Sequence, residues 1–442
     1  MQQPSLIVTG RYLLPGSAQT GLLHDHGLAI TGDTITAIAP VETLHRTYPD
    51  TSTLHTEHGL IMAGLINTHT HAAMSCFRGI ADDLPLMTWL NQYIFPVERN
   101  LTPEIVYHSA LLGIAEMIKS GTTSFCDMYL FAKEVARAAE QAGIRAWVGE
   151  VLYDFPSPCY GPLEKGFDYI REMLDHYHDN PLVTVSITPH SVYTCSAELL
   201  RRLGRLAADN DRLYHIHLAE NQQEVATCQK RYGLRPVPHL DRMGLLGPNT
   251  LAAHCVELEP DEIELLAKRG VKVSHCLESN MKLASGIAPI VELLAAGTVV
   301  ALGTDGSASN NDVDLFAEMD SVAKVHKLTK LDPTVMGAET TLHAATLGGA
   351  TALGVERCIG SLTVGKKADC IVLNLDQPHL LPCHNVPSQL VYAARGGDVL
   401  HSVINGQLVM HNRQLVTVDE RQLLVQMRQL GETIRTMSRK GR

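Results

Sequence analysis

Two histidines one residue apart close an apolar run in "GLINTHTHAAM", residues 64–74. Side chains alternate along a strand, so His69 and His71 share a face, with Cα atoms roughly 6–7 Å apart, and both rings can converge on one ion. A buried, hydrogen-bonded histidine explains either one alone. The same spacing returns in "HIHLAE", where His215 and His217 are followed three residues later by Glu220. If the strand ends at His217 and the chain turns, Glu220 swings over the same mouth as a proton carrier beside a metal-bound water. Its competing reading is an exposed glutamate favoured by a helix dipole. His215 lies deeper and is assigned to packing. In "GTDGSASNN", Asp305 stands between glycines after the apolar "VVAL". A turn aspartate capping the next helix explains it, but so does a zinc oxygen ligand. His254 in "LAAHCVE" and His190 in "TPHSVY" also fall near strand ends. His254 in isolation is a structural histidine; beside five other such groups it becomes a site candidate.

Other chemistries lack their motifs. "HLAE" is not followed by the P-C-x-x-C of the small zinc deaminases. No H-E-x-x-H, G-x-G-x-x-G or Walker sequence is present.

The elements that must position these residues alternate. Apolar strand-like runs occupy 64–71, 121–128, 144–153, 182–190, 213–220, 250–257, 271–279 and 299–307. Amphipathic helical runs lie between them, such as "PDEIELLAKRG", which stops at a glycine. Eight strands with intervening helices predict an α/β fold of the parallel (β/α)8 TIM-barrel type. In such barrels the active site lies where the strands end. Residues 1–63 and 358–442 read differently, as short strands between Gly, Asp and Asn turns. Neither half holds enough residues for a core of its own, so they are expected to pack together as one small β-sandwich beside the barrel at 64–357. An amphipathic helix is predicted over 418–436.

Composition narrows the function classes. The chain has 442 residues, 45% of them hydrophobic and 19% charged, as in an ordinary globular protein. Acidic residues outnumber basic ones 47 to 36, a formal charge of −11 that repels a nucleic-acid polymer but not a small nucleoside. None of the ten cysteines forms a C-x-x-C pair, which points to free thiols in a reducing compartment. With neither a signal peptide nor an apolar run of about 18 residues, a cytoplasmic protein without a membrane partner is expected.

H-x-H after the first strand, histidines at the fifth and sixth, and aspartate after the eighth resemble the amidohydrolase superfamily. The likeness covers nearly the whole chain. Strand four ends "ITPHSVYTCS" without the lysine that bridges two metals in many members, so one metal is implied. H-L-x-E at 217–220 with T-D-G-S at 304–307 looks like the branch acting on aromatic heterocycles. Within it, "NTHTHAAMSCFRGIADDLPLMTWL", "IFPVE", "TPHSVYTCS", "HIHLAE", "YGLRPVPHLDRMGLLGP" and "GTDGSASNN" are most similar to the 5′-methylthioadenosine/S-adenosylhomocysteine deaminases.

That resemblance implies one Zn2+ on His69, His71, His217 and Asp305, a purine nucleoside as substrate, and a homo-oligomer. Zinc lowers the pKa of its water to about 7. Asp305 then takes a proton, His254 orients the hydroxide, and Glu220 protonates purine N1 as oxygen adds at C6. Glu98 would accept from both ribose hydroxyls, His190 would contact the nucleoside, and Trp89 would pack against its 5′ side. A surface glutamate and a core tryptophan are the plainer readings of Glu98 and Trp89. Family members accepting the homocysteine carboxylate carry an arginine after strand three, where this chain has Glu150. Repulsion there, costing roughly 2–4 kcal/mol if desolvated, predicts preference for 5′-methylthioadenosine or adenosine over S-adenosylhomocysteine. The alternative is a deaminase or chlorohydrolase of another ring, such as guanine, a pterin or a triazine.

Overall fold

The computed structural model describes residues 3–16, 21–84 and 86–440, so the extreme ends of the two expected terminal segments, and residues 17–20, lie outside it. Eight parallel strands form the barrel: Leu65–Thr70, Thr122–Tyr129, Arg145–Leu152, Val183–Val185 continued by Thr188–Pro189, Tyr214–Leu218, Thr250–His254, Lys272–His275 and Val299–Leu302. The first four pair in order, as do the last four. Two isolated parallel bridges, Ile187 with Tyr214 and Thr70 with Asp305, join the halves and close the ring. Every residue of the first and second strands is buried, as parallel strands covered on both faces must be.

Helices on the outside cover the strands. Ala197–Asp209 is representative: Ser196 accepts the Leu199 N–H as its N-cap, and Leu199, Leu200, Leu203 and Ala207 make the buried stripe. Gly303 sits where the barrel closes, and a Cβ there would lie 2.8 Å from the His69 backbone nitrogen. Glycine is required at this point because the two strand ends approach so closely.

The strands run shorter than the apolar runs. The seventh stops at His275 because Leu277–Lys282 turns into a helix. The first stops at Thr70, so His71 opens a 3₁₀ turn, Ala72–Phe77, instead of continuing the strand.

The terminal segments share one nine-stranded sheet, eight of whose strands follow a single hydrogen-bonded path. Leu6–Leu14, His26–Thr31, Thr34–Pro40 and Thr53–Ala63 come from the N-terminal side, and Cys370–Asn374, Val399–Ile404 and Gln407–His411 from the C-terminal side. The path curls until Thr34 bridges Lys367, enclosing a core that includes Val8, Leu28, Ile61, Val372 and Val403. Gly64 is the hinge to the barrel; a Cβ there would meet the Thr123 side chain at 2.1 Å. Arg145, nearly buried, ties the barrel floor to this sheet through Asp369 at 2.9 Å and Asn405 at 3.1 Å. The terminal helix, Glu420–Lys440, lies instead on the barrel helix Pro103–Lys119, joined by Lys119 and Glu420 at 2.7 Å. All ten cysteines are free. Among the described residues, no helix is long and apolar enough to cross a membrane.

Candidate active site

Four imidazoles and one carboxylate meet at the C-terminal mouth of the barrel. Ligand atoms of His69, His217, His254 and Asp305 all lie within 4.8 Å of one another. His71 Nε2 joins them, 3.1 Å from Asp305 Oδ1 and 3.4 Å from His217 Nε2.

Each ring is oriented by its other nitrogen. The His71 Nδ1–H donates to the Met128 carbonyl at 2.6 Å, and the His217 Nδ1–H to the His190 carbonyl at 2.8 Å. His254 donates from Nδ1 to Asn280 Oδ1 at 2.9 Å. His69 Nδ1 lies 2.9 Å from His215 Nε2, whose own Nδ1 is 3.4 Å from Cys126 Sγ. All four Nε2 atoms are thereby left to face the shared space. On Asp305, Oδ2 accepts from Ser279 and Ser309, both at 2.7 Å, while Oδ1 faces the histidines.

This donor set fits a divalent cation. His69 Nε2 is buried without a hydrogen-bond partner, an uncompensated arrangement that a metal resolves. Three or four neutral nitrogens with one carboxylate oxygen is zinc-type chemistry. Burial pushes the His69 ring down to about 3 and the His217 ring well below its ordinary value, keeping both neutral, whereas at His71 burial is outweighed by the contact with Asp305 and the ring is raised. Burial opposes ionisation of Asp305, yet its contacts with His69 and His71 hold it well below the usual carboxylate range.

The backbone is bent for this purpose. Ala219, His254, Cys255 and Asp305 all take left-handed conformations, with φ of 51°, 71°, 51° and 59°. Such residues cost about 1–3 kcal/mol each and persist only where the surroundings impose them.

Above the cluster opens a cavity lined by every expected site residue except His69, which lies beneath it: His71, His190, His217, Glu220, His254 and Asp305 beside the polar floor, with Glu98 and Trp89 further out. Glu98 is half-buried as a residue and accepts from the Tyr129 hydroxyl at 2.7 Å; it is not a surface glutamate pointing to solvent. Trp89 is buried, as a core residue is, but it also faces the cavity. Both sit on an irregular helical run, Leu86–Glu98, interrupted by a π turn at Leu90–Ile94. Such turns re-aim side chains and recur at functional sites. His190 Nδ1 is taken up by the Ser191 and Thr194 hydroxyls at 3.1 and 3.0 Å. Burial raises the Glu220 carboxyl above its ordinary value.

Two expectations fail. Glu150 does not line the cavity: it is wholly buried, and its Oε2 accepts the Ala132 N–H at 2.8 Å at the start of the helix after strand two. Alternation on the strand explains this, since the neighbouring Val151 is the residue that faces in. Arg145 is at the opposite end of the same strand, held by Asp369. His215 is more than packing, because it supports His69; its two-residue offset from His217 was the available signal. Ser279, Asn280, Ser309 and Tyr129 were not anticipated, and no spacing in the sequence singles them out.

The chain matches the Amidohydrolase family model over residues 60–409. It is 53% identical over 408 residues to the 5-methylthioadenosine/S-adenosylhomocysteine deaminase of Syntrophobacter fumaroxidans, covering 92% of this chain and 93% of that one. It is 42% identical to the 5′-deoxyadenosine deaminase of Methanothermobacter thermautotrophicus, covering 96% and 97%. A crystal structure of an adenosine deaminase from Xanthomonas campestris with bound zinc superposes with a TM-score of 0.96 at 40% identity, over 98% of this chain and 99% of that one.

Proposed function

The chain belongs to the amidohydrolase family, and from that premise we propose that it removes the 6-amino group of an adenine nucleoside by hydrolysis, giving the inosine analogue and ammonia. The observation that carries this reading is the convergence of His69, His71, His217, His254 and Asp305 beneath a cavity that also presents Glu220 and Glu98.

In this reading one Zn2+ per chain would be held by His69, His71, His217 and Asp305, and when bound it would supply hydroxide by lowering the pKa of a water to about 7. The chain's own groups do the rest. Asp305, ionised and braced by Ser279 and Ser309, accepts a proton at Oδ1. His254, its Nδ1 tied to Asn280, directs Nε2 toward the attacking oxygen. Glu220, whose carboxyl burial raises above its ordinary value, gives a proton to ring N1 as oxygen adds at C6, because the ring takes up charge only if N1 is protonated. Ammonia then leaves with a proton relayed by Glu220 or Asp305.

Glu98 presents carboxylate oxygens to the ribose diol, Tyr129 fixing one of them, and His190 contacts the nucleoside. Glu98→Ala is expected to raise KM for adenosine at least about tenfold, since hydrogen bonds to a charged group contribute about 1.5–3 kcal/mol. An unchanged KM would favour a substrate without a diol, such as guanine or a triazine.

Preference for 5′-methylthioadenosine over S-adenosylhomocysteine now rests on a different feature from Glu150. Among the described residues the cavity lining contains no lysine or arginine, and its outer part is aromatic, with Trp89, Phe95, Tyr153 and Phe155. A neutral methylthio group suits that wall, whereas a homocysteine carboxylate has no cation to meet. Ultraviolet monitoring of adenine-to-hypoxanthine conversion across a nucleoside panel tests both statements. Turnover of 5′-methylthioadenosine with kcat/KM at least about tenfold above S-adenosylhomocysteine is expected. Equal efficiencies would remove the specificity argument, and no turnover of any member would remove the function.

The curled nine-stranded sheet is read as the two-layered small domain, with 1–63 and 358–442 around a barrel at 64–357; the support is its separate core. Ten free thiols support a reducing, cytoplasmic setting. Assembly with further copies of the chain is part of the same reading, on family likeness alone.

A further inference from the structure

The turn that presents Glu220 is gripped by a carboxylate that stays out of the cavity. Glu224, 2% exposed, lies in the first turn of the helix Gln222–Tyr232 and reaches back along the chain. Its Oε2 accepts the Glu220 N–H at 2.8 Å and its Oε1 the Ala219 N–H at 3.1 Å. From the other side, the Ala219 carbonyl accepts the N–H groups of Val256 and Glu257 at 3.0 and 2.8 Å, in the loop just after His254. Asn221 Oδ1 in turn accepts the Glu224 N–H at 3.0 Å, which sets the start of the helix. Ala219 is thus held in its left-handed conformation by partners on both peptide faces, and the Glu220 side chain is left to enter the cavity.

We infer that Glu224 is a positioning residue for Glu220: its two oxygens clamp the consecutive N–H groups of Ala219 and Glu220 and so fix where the reacting carboxyl points. The inference rests on the proposed role of Glu220. Buried carboxylates elsewhere under the rim work similarly, Asp127 on the Ala72 N–H and Glu318 on those of Leu277 and Glu278. Of these clamps, Glu224 is the one that holds the amide of the proposed proton donor.

Burial pushes the Glu224 carboxyl up to about 8, but each of its oxygens faces a backbone N–H and acts as an acceptor; a carboxamide accepts with one atom and offers a donor with the other, so Glu224→Gln sets N–H against N–H at one of the two sites. The turn must rotate to relieve this. A displacement of about 1 Å costs up to 10²-fold in rate, so kcat on 5′-methylthioadenosine should fall roughly 10- to 100-fold. KM should stay within about threefold and zinc content should match wild type, because neither Glu98 nor any metal-site residue is touched. Glu224→Asp keeps two acceptor oxygens on a shorter stem and should recover part of the lost rate. It also serves as the test variant should the glutamine form fail to fold.

A purely structural Glu224 would lower the melting temperature while leaving kcat per zinc-loaded site unchanged, and that result overturns the inference. A raised KM with kcat preserved also overturns it, by making Glu224 a substrate-binding group. Wild-type protein inactive on every nucleoside would instead strike down the proposed function, so the two failures are distinguishable.

Discussion

Replacing Glu220 with glutamine is expected to reduce kcat on 5′-methylthioadenosine by about 10²–10⁴-fold, the range for losing a positioned proton donor. The substitution preserves size and keeps a hydrogen-bonding head, so the buried turn at 218–221 and its clamp by Glu224 should survive. Glu220 is not among the four residues read as zinc ligands, so metal content should match wild type. KM should change little, because the amide still fills the cavity wall. Steady-state kinetics beside metal analysis provides the check. Wild-type activity in the variant would remove Glu220 from the mechanism, whereas loss of zinc would place it among the ligands.

The second large effect is metal removal. Dialysis against a chelator is expected to abolish turnover and to leave the chain folded, with activity restored by added Zn2+. The barrel does not depend on the cation: its strands are paired throughout and its core spans barrel strands, outer helices and the terminal sheet. What the metal offsets is local. Without it, the His69 Nε2 atom is buried and unpartnered. Apoprotein should therefore melt at a lower temperature but show the same far-ultraviolet circular dichroism. Unfolding on chelation would instead mean a structural zinc. Asp305→Asn should behave like incomplete chelation, losing the only anionic oxygen in the set.

Several features of this site were legible from residue order. His69 and His71 follow an apolar run, and Glu220 trails His217 by three. Strand periodicity and turn chemistry are local properties, so they place such residues at strand ends without reference to the rest of the chain. The same logic located all eight barrel strands, although their ends came out too long. The run at 271–279 is apolar enough to continue as strand, yet Glu318, from a helix some forty residues later, accepts the Leu277 N–H at 2.5 Å and starts a helix there. Glu150 shows the limit more sharply. Its match to the position of a family arginine after strand three suggested a place near the substrate, but the pleat turns it to the helix layer and gives the cavity Val151 instead.

By itself, then, the amino-acid order determined that strands and helices alternate, that chelating side chains sit where strands stop, and that the two termini share one β-sheet texture. The tertiary structure alone decided how those side chains are aimed. His69 and Asp305 become neighbours because the barrel closes through the Thr70–Asp305 bridge. His215 braces His69, and Asn280 braces His254, across strands or helices that no local pattern connects. Side-chain direction at a strand end follows from hydrogen bonds to groups distant in the chain, and those contacts exist only once the ring of strands has closed.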